Sequence, residues 1–457
     1  MIVMVMMMFL IFAAVEIALA VLSCRKGQDK RIWLKNRLLV RGLELLIAAA
    51  AMLLTQGQKW RFVPLLLFLT LLAAIAALRF LFGRRKENGV KKTGAVVSNC
   101  VLSILILALL LVPASVFTDY AGLPVTGEHP IAEASAILVD RSRTDPFEQD
   151  GSFREVPVHF YYPEDASDGE RFPLVVFSHG AFGYYQSNTS TYMELASNGY
   201  VVVALDHPHH AFFAKDTEGN TVLVDMDFFQ TAMNSQGDPN DHAEENLAVF
   251  REWMDLRTKD MNFVVDTLEA AGSSASLDES WFLSETDADT ILSVLRMTDL
   301  TRIGLMGHSM GGATAVELGR ERSDISAVVD MDGTMLGEYL GVENGKLVVS
   351  EETYTVPVLE FNNWESYNDR KEYLALGNRY PNDELMKHAS EGWAVTVRDT
   401  LHMDYTDLPL LSPTLGNMLG SGERGTAEIM TIVNSLVLQF FDCYLKGEGV
   451  FTAQELY

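Results

Sequence analysis

Residues 307–311 read Gly-His-Ser-Met-Gly, a G-x-S-x-G pentapeptide with Ser309 at its centre. An apolar run, 301–306, comes directly before it, and a helix-forming run, 312–318, directly after it. A strand, a sharp turn and a helix in that order form a nucleophile elbow, whose flanking glycines make room for the turn and lift the serine clear of the sheet. The sequence therefore predicts that Ser309 is a nucleophile. The alternative is a serine in an ordinary glycine-rich turn.

A serine hydroxyl needs a histidine to take its proton, and the histidine needs an acid that orients it. With an elbow of this kind the chain order is serine, acid, histidine. His402 follows the last predicted strand, 393–398, and is therefore the predicted base. His388 is the competitor, but it lies in the predicted helix 383–390, before that strand.

The acid should lie just after the strand that follows the elbow helix. Asp332 comes directly after the predicted strand 325–331 and is the predicted acid. Asp330 lies two residues earlier and deeper in the sheet. Glu360 and Glu365, at the end of the next strand, remain alternatives because many proteins of this fold place the acid there.

Attack on a carbonyl makes an oxyanion, which needs backbone N–H donors already in place. The residue after the nucleophile, Met310, should supply one donor. The loop 178–183, Ser-His-Gly-Ala-Phe-Gly, should supply the other through the Ala181 N–H. We expect His179 to orient this loop by hydrogen bonds and not to transfer protons.

The run 206–210, Asp-His-Pro-His-His, raises the question of a metal site. Alternation along an extended segment points neighbouring side chains in different directions, and no second cluster of ligands accompanies the run. We expect these residues at the rim of the substrate pocket. The sequence predicts neither a metal nor an organic cofactor.

From about residue 134 onward, short β-branched runs alternate with helical stretches, which is typical of βαβ units and a mainly parallel sheet. Eight strands are predicted, at 135–139, 156–162, 174–178, 201–205, 302–306, 327–331, 356–361 and 394–398. Helices are predicted at about 187–198, 243–271, 311–321, 370–377 and 425–446. This order favours an α/β-hydrolase fold, with an eight-stranded, mostly parallel sheet that is antiparallel at its start. The polar segments 207–242 and 273–299 are expected near the strand ends that carry the elbow, either as a lid or as surface excursions.

The first 117 residues contain four apolar stretches, at about 2–23, 38–54, 62–82 and 96–117. Three are long enough to cross a hydrocarbon core of roughly 30 Å as helices, whereas 38–54 is marginal because it is short and contains Arg41 and Glu44. The predicted domains are therefore a four-span transmembrane domain, 1–117, and a catalytic domain, 118–457.

Charge predicts the orientation of this membrane domain. Lys and Arg number six in 24–37 and five in 83–95, against two in 55–61. The positive-inside rule then predicts an extracytoplasmic catalytic domain, provided that the marginal span inserts. Residues 118–457 carry 20 Lys and Arg against 57 Asp and Glu, so binding to nucleic acid is disfavoured.

These residues together resemble the platelet-activating factor acetylhydrolase-like branch of the α/β-hydrolases, from about Asp140 to Asp407. The similar stretches are 141–147, 154–158, 161–163, 176–180, 197–202, 206–207, 257–264 and 307–314. Asp332 and His402 match that family's acid and base, because the family places its acid after the sixth strand. The resemblance implies hydrolysis of short or oxidised sn-2 acyl esters of phospholipids. Dienelactone hydrolases and general carboxylesterases are similar to an equal degree.

The sequence thus predicts a membrane-anchored serine hydrolase of carboxylic esters, with residues 1–117 in the bilayer and an ester, for example a phospholipid, as substrate. An amidase or peptidase that uses the same three residues is one alternative. A non-catalytic membrane sensor with a hydrolase-like domain is the alternative from another class.

Overall fold

The computed structural model describes residues 2–24, 30–82, 93–167, 169–235, 237–272 and 274–457. The chain divides into two compact units, Met1–Gly122 with Leu408–Met418, and Leu123–Asp407 with Leu419–Tyr457. Several basic residues behind the topology prediction lie outside the described residues: Arg25, Lys26, Arg84, Arg85, Lys86, Lys91 and Lys92.

The helices, in chain order, are α1 (Ile2–Ser23), α2 (Lys30–Leu54), α3 (Val63–Phe82), α4 (Thr93–Val116), α5 (Thr189–Ser197), α6 (Met226–Asn234), α7 (Ala243–Gly272), α8 (Ala288–Met297), α9 (Met310–Glu321), α10 (Trp364–Ala375), α11 (Pro381–His388), α12 (Leu408–Leu411), α13 (Pro413–Leu419) and α14 (Thr426–Phe441). The strands are β1 (Ile131–Thr144), β2 (Phe153–Pro163), β3 (Phe172–Ser178), β4 (Val201–Leu205), β5 (Phe213–Lys215), β6 (Thr221–Leu223), β7 (Trp281–Phe282), β8 (Thr298–His308), β9 (Ile325–Met331), β10 (Tyr339–Glu343), β11 (Lys346–Val349), β12 (Val358–Asn363) and β13 (Gly392–Val397).

The first unit is built on helices α1 to α4, which share an apolar core that includes Phe12, Phe62 and Leu69. Large apolar side chains such as Leu67 and Leu109 are exposed on the outside of the same helices. A helix that is apolar on all faces suits a hydrocarbon environment, since nothing polar is needed on its outer surface. Short helices α12 and α13 belong mainly to this unit, where the Thr118 N–H donates to the Leu411 carbonyl over 2.8 Å.

Three of these helical segments are long and apolar enough to cross a membrane: Val3–Ser23, Lys59–Phe82 and Thr93–Val116. The marginal stretch 38–54 is not among such segments; it forms the C-terminal part of α2, which begins with a basic run and contains Arg41 and Glu44. Within α2, Arg41 is buried and pairs with Glu16 at 2.5 Å and Glu44 at 2.7 Å. The fourth apolar segment found in the described part of the chain is Thr426–Lys446, half of which is buried in the second unit.

The second unit is built around one nine-stranded sheet in the order β13-β12-β9-β8-β3-β4-β2-β1-β7. Pairs from β13 to β4 are parallel, whereas β2 pairs antiparallel with both β4 and β1. This is the α/β-hydrolase fold predicted above, with all eight predicted strands in it. The prediction of eight strands was one too few, because β7 has only two residues and is too short to show a pattern.

Both faces of the sheet are covered, and every residue of β3 and β4 is buried. Helices α7, α8 and α9 contribute to the core on one face, and α5 and α14 to the core on the other. Parallel strands between two helical layers appear in the sequence as continuous apolar runs. This pattern predicted the strands at 174–178 and 201–205.

The two expected lid segments differ in location. Segment 207–242 forms the hairpin β5–β6 and helix α6, whose Phe228 packs in one cluster with Met310 of the elbow. The expectation for 273–299 was wrong: its β7 pairs with β1 at the outer edge of the sheet, and its α8 packs into the core. The reason is the direction of the chain: this segment leads into the start of β8, whereas the elbow follows the end of β8.

Candidate active site

Ser309 lies in the turn between β8 and α9, with φ 55° and ψ −126°. A non-glycine residue rarely adopts positive φ, and such strain persists only where the surroundings impose it. A Cβ on Gly307 would lie 2.2 Å from the Gly311 carbonyl carbon, and one on Gly311 would lie 2.0 Å from the Ser178 oxygen. Both flanking positions therefore require glycine, and the turn presents the serine side chain at the end of the strand.

Ser309, His402 and Asp332 form one chain of hydrogen bonds. His402 Nε2 lies 3.0 Å from Ser309 Oγ, and His402 Nδ1 lies 2.6 Å from Asp332 Oδ2. Asp332 directly follows β9, and His402 begins a short 3-10 turn after β13. Because Nδ1 donates its proton to the carboxylate, Nε2 is left free to accept the serine proton.

Asn363, at the end of β12, was not identified from the sequence. Its backbone N–H donates to Asp332 Oδ1 over 2.7 Å, and its side-chain amide donates to Oδ2 over 2.8 Å. Desolvation lowers the pKa of His402, but the hydrogen bond and the charge of Asp332 outweigh it, so the pKa lies above its usual value. The held carboxylate therefore favours the imidazolium that forms when the serine is deprotonated.

Two alternative acids have other partners. Glu360 is wholly buried and pairs with Arg370 at 3.0 Å. Asp330 is also wholly buried and accepts from the Gly333 N–H over 2.9 Å; burial and the neighbouring Glu360 raise its pKa well above the usual value. A deeply buried carboxyl whose pKa is raised is a poor partner for an imidazolium.

The other two candidates also lie apart from the serine. Glu365 is exposed in the first turn of α10. His388 lies at the end of α11, where its Nδ1 is 2.9 Å from the Glu384 carbonyl oxygen. Among the described residues, the hydrogen bonds thus connect Ser309 with His402 and Asp332 and leave the competitors elsewhere.

The two predicted N–H donors, Met310 and Ala181, belong to segments that lie next to the serine. Met310 is the first residue of α9, so its N–H has no acceptor within the helix. The loop after β3 approaches from the other side, since a Cβ on Gly180 would lie 3.1 Å from Ser309 Cβ and 2.8 Å from His308 Nδ1. Ala181, the next residue, contacts the same apolar cluster as Met310.

That cluster, here the cap cluster, joins the elbow to elements outside the sheet. It combines Met310 with buried side chains from α6, the first half of α7, and the hairpin β10–β11: Phe228, Leu247, Phe250, Trp253, Tyr339 and Val349. The Phe228 and Trp253 rings meet edge to face with centroids 5.6 Å apart. Any group bound beside Met310 would therefore meet an apolar, aromatic wall.

The histidines of 206–210 were expected at a pocket rim, and this was wrong for His207. It is wholly buried, with Nε2 2.8 Å from Ser178 Oγ and Nδ1 3.0 Å from Asp260 Oδ2. Arg154, also wholly buried, pairs with Asp260 at 2.8 Å. Burial and the charge of Arg257 lower the pKa of His207 to about 4. We call Ser178, His207 and Asp260 the buried chain. Its three residues lie on distant segments of the sequence, so no short motif predicts it.

A sequence model of the family described as platelet-activating factor acetylhydrolase, isoform II, matches residues 152–452. Curated relatives include platelet-activating factor acetylhydrolases of Cavia porcellus, 22% identical over 303 residues, and Gallus gallus, 23% identical over 296 residues. These alignments cover 64% and 61% of this chain, and 61% and 63% of the relatives.

A further relative is a probable 1-alkyl-2-acetylglycerophosphocholine esterase of Arthroderma benhamiae, 22% identical over 39% of this chain and 35% of that protein. Among solved structures, a ferulic acid esterase from Streptomyces cinnamoneus aligns with a TM-score of 0.52 and 24% identity, covering 72% of this chain and 93% of that one. This structural likeness establishes the fold of the second unit.

Proposed function

This chain belongs to the platelet-activating factor acetylhydrolase, isoform II, family, and from that premise we propose that it is a membrane-anchored serine hydrolase of carboxylic esters. The observation that carries the proposal is the chain of hydrogen bonds from Ser309 through His402 to Asp332. Relatives in the family are named as acetylhydrolases and as an esterase, which supports ester over amide substrates.

In the proposed acylation step, Ser309 Oγ attacks the acyl carbon while His402 Nε2 takes its proton. The negative charge that develops on the carbonyl oxygen is bound by the N–H groups of Met310 and Ala181. The tetrahedral intermediate then loses the alcohol, which receives the proton from His402. Asp332 stays ionised throughout and stabilises the imidazolium.

Deacylation repeats the chemistry with water. His402 takes a proton from water as it attacks the acyl-serine, a second oxyanion forms in the same place, and the proton returns to Ser309 as the acid leaves. These two steps use only groups of this chain and require no cofactor.

We propose short-chain acyl esters of glycerophospholipids as the substrate class. The relatives' names specify an acetyl group, and one specifies a glycerophosphocholine. The cap cluster supports the choice, because large aromatic side chains beside Met310 suit a small apolar acyl group. The apolar helices α1, α3 and α4 support anchoring in a membrane, where such esters reside.

A fluorophosphonate probe tests the chemistry. The full-length protein in nanodiscs should be labelled, and the matched variant Ser309→Ala should not. Absence of labelling in the folded wild-type protein would favour the non-catalytic alternative. Equal labelling of both proteins would show that the reactive nucleophile is a residue other than Ser309.

A substrate panel tests the class. We expect p-nitrophenyl acetate and butyrate to be cleaved faster than the octanoate, matched anilides to be cleaved far more slowly, and an sn-2-acetyl phosphatidylcholine to be cleaved in vesicles. Faster cleavage of the anilides would favour the amidase alternative. Cleavage of soluble esters alone would remove phospholipids from the proposal.

Cys443, in the second unit, is partly exposed and can test the extracytoplasmic orientation predicted from charge, which requires that the marginal stretch 38–54 cross the membrane. A variant with Cys24 and Cys100 changed to serine should react with a membrane-impermeant maleimide in intact cells. Labelling only after lysis would place the second unit on the cytoplasmic side.

A further inference from the structure

The loop that holds Ala181 depends on a buried arginine of α7 that the proposed chemistry leaves without a role. Arg257 is wholly buried and donates from Nη1 to the His179 carbonyl over 2.5 Å and from Nη2 to the Gly180 carbonyl over 3.3 Å. Its Nε donates to His210 Nδ1 over 3.2 Å. All three directions of the guanidinium are therefore used on the two loops that follow β3 and β4.

The direction of the Ala181 N–H follows from where the Gly180 carbonyl points. In a trans peptide the N–H and the preceding C=O point to opposite sides. The Gly180 oxygen accepts from Arg257, from His179 Nδ1 at 2.6 Å and from the Gly183 N–H at 3.1 Å. With the oxygen held by these donors, the Ala181 N–H is turned to the other side of the peptide.

The buried chain holds the same loop at its start. The His207 N–H donates to His179 Nε2 over 3.1 Å, which leaves the Nδ1–H of His179 to donate to Gly180. The His179 imidazole must be neutral for this pattern, because its Nε2 is an acceptor, and burial lowers its pKa well below the usual value. The backbone N–H of His207 thus fixes the tautomer of His179, whose Nδ1–H donates to the Gly180 carbonyl.

Arg257 differs from the other buried arginine of this region in its partners. Arg154 pairs with the carboxylates of Asp145 and Asp260. Arg257 makes no such salt bridge within the described residues; its hydrogen bonds go to backbone oxygens and an imidazole. Burial lowers its pKa to about 9, so the guanidinium stays charged at neutral pH. A buried cation without an ion pair is costly, which argues for a role beyond stability.

We propose that Arg257 is a positioning residue that orients the Gly180–Ala181 peptide, and with it the Ala181 N–H, toward the oxyanion formed at Ser309. This inference rests on the proposed serine hydrolase chemistry. It assigns the run 257–260 two tasks, Arg257 holding the loop after β3 and Asp260 holding His207.

The test compares an ester with its thionoester, in which sulfur replaces the carbonyl oxygen and accepts hydrogen bonds poorly. The full-length wild type should strongly prefer p-nitrophenyl acetate over the thionoacetate. Arg257→Lys keeps the charge but loses the planar fork that reaches His179, Gly180 and His210 together. We therefore expect kcat for the ester to fall by about 10- to 100-fold with little change in KM, since one oxyanion donor is worth about 10²–10³ in kcat. The ester-to-thionoester preference should shrink by a similar factor.

Arg154→Lys is the matched control, because Arg154 bonds to Asp145, Asp260 and the Pro208 carbonyl, so the variant weakens the same buried region without removing a donor from the carbonyls of His179 and Gly180. Its preference should equal that of the wild type once rates are scaled to the folded fraction from a thermal melt. Should Arg257→Lys fail to fold, Arg257→Gln takes its place, since its amide can donate to one carbonyl. A wild-type preference in the folded Arg257 variant overturns this inference alone. A wild type that is neither labelled by fluorophosphonate nor active on either ester overturns the proposed function as well.

Discussion

The second unit contains two serine–histidine–aspartate chains of hydrogen bonds that differ in almost everything except their residue types. In one, Ser309, His402 and Asp332 meet at the end of the sheet, and the His402 side chain is 43% exposed. In the other, Ser178, His207 and Asp260 are each wholly buried. The comparison teaches that the three residue types in hydrogen-bond order do not define a reactive site.

Backbone and electrostatics separate the two chains. Ser309 sits in a strained turn with φ 55°, whereas Ser178 is the last residue of β3. The pKa of His402 lies above the usual value, because the hydrogen bond and charge of Asp332 outweigh desolvation. The pKa of His207 is lowered to about 4, first by burial and then by the charge of Arg257. One histidine can therefore gain a proton during a reaction, and the other is held neutral.

Removing each serine hydroxyl should give the largest contrast. We expect Ser309→Ala to lower kcat for p-nitrophenyl acetate by at least 10⁴-fold, toward the roughly 10⁶-fold loss seen when such a nucleophile is removed. Ser178→Ala loses one buried hydrogen bond, about 1 kcal/mol, and should keep activity within about tenfold. Comparable losses in both variants would show that the buried chain takes part in the chemistry.

Changing each aspartate should separate activity from stability. Asp332→Asn should lower kcat by about 10³–10⁴-fold while the free energy of unfolding changes by about 1 kcal/mol. Asp260→Asn leaves Arg154 without one of its carboxylate partners, so we expect a destabilisation of about 3–5 kcal/mol. Urea unfolding and steady-state kinetics on the same preparations measure both. The contrast fails if Asp332→Asn is the less stable variant.

The loop that carries His402 should respond to pH through Asp407, which accepts from the N–H and the hydroxyl of Ser190, both at 2.6 Å. Burial raises the pKa of Asp407 to about 6, so the folded state holds a proton that the unfolded state releases near pH 4. The contribution of Asp407 to stability is therefore lost as pH rises from about 4 to 6, by roughly 2–3 kcal/mol. Asp407→Asn should remove this slope.

The difference between wild type and Asp407→Asn isolates Asp407, because His207, whose pKa is lowered to about 4, adds stability as pH rises over the same range in both proteins. The pKa of Asp260 is lowered by Arg154 and His207 against the effect of burial, so its contribution is nearly constant above about pH 5, where the unfolded carboxyl is ionised, and it is the same in both proteins. Unfolding of Asp407→Asn and wild type in nanodiscs should therefore diverge across this range. Parallel curves would contradict the assignment.

The smallest effect should be a shift in the pH profile. In the wild type, kcat/KM should rise with pH and level off above the usual histidine value of 6.5, because His402 must be neutral to accept the serine proton. In Asp332→Asn the two effects that raise the pKa are gone and desolvation remains, so the midpoint of the residual activity should move to lower pH. An unchanged midpoint would mean that another group controls the profile.

Much of the fold could be predicted because it depends on local patterns. The buried strands β3 and β4 show as apolar runs, and the elbow shows as glycines around a serine. The strand β7 was not predicted, because two residues are too few to show an alternating pattern. The segment 273–299 was placed at the wrong end of the sheet, because its location depends on the direction of the strand that follows it. The apolar stretch 38–54 was judged marginal from its length and from Arg41 and Glu44, but the sequence pattern did not show that it continues a helix that begins in a basic run.

The sequence by itself determined the elbow, the order of Ser309, Asp332 and His402, and the choice of a Gly-rich loop to face them, because each is a short run at a strand end. Only the tertiary structure decided which carboxylate reaches His402, that Asn363 holds it, and that His207 turns inward to Asp260. It also decided that Arg257, 78 and 77 residues from the carbonyls of His179 and Gly180, bonds to that loop. Such contacts join distant segments through hydrogen bonds of fixed direction, and a direction in space leaves no trace in residue spacing.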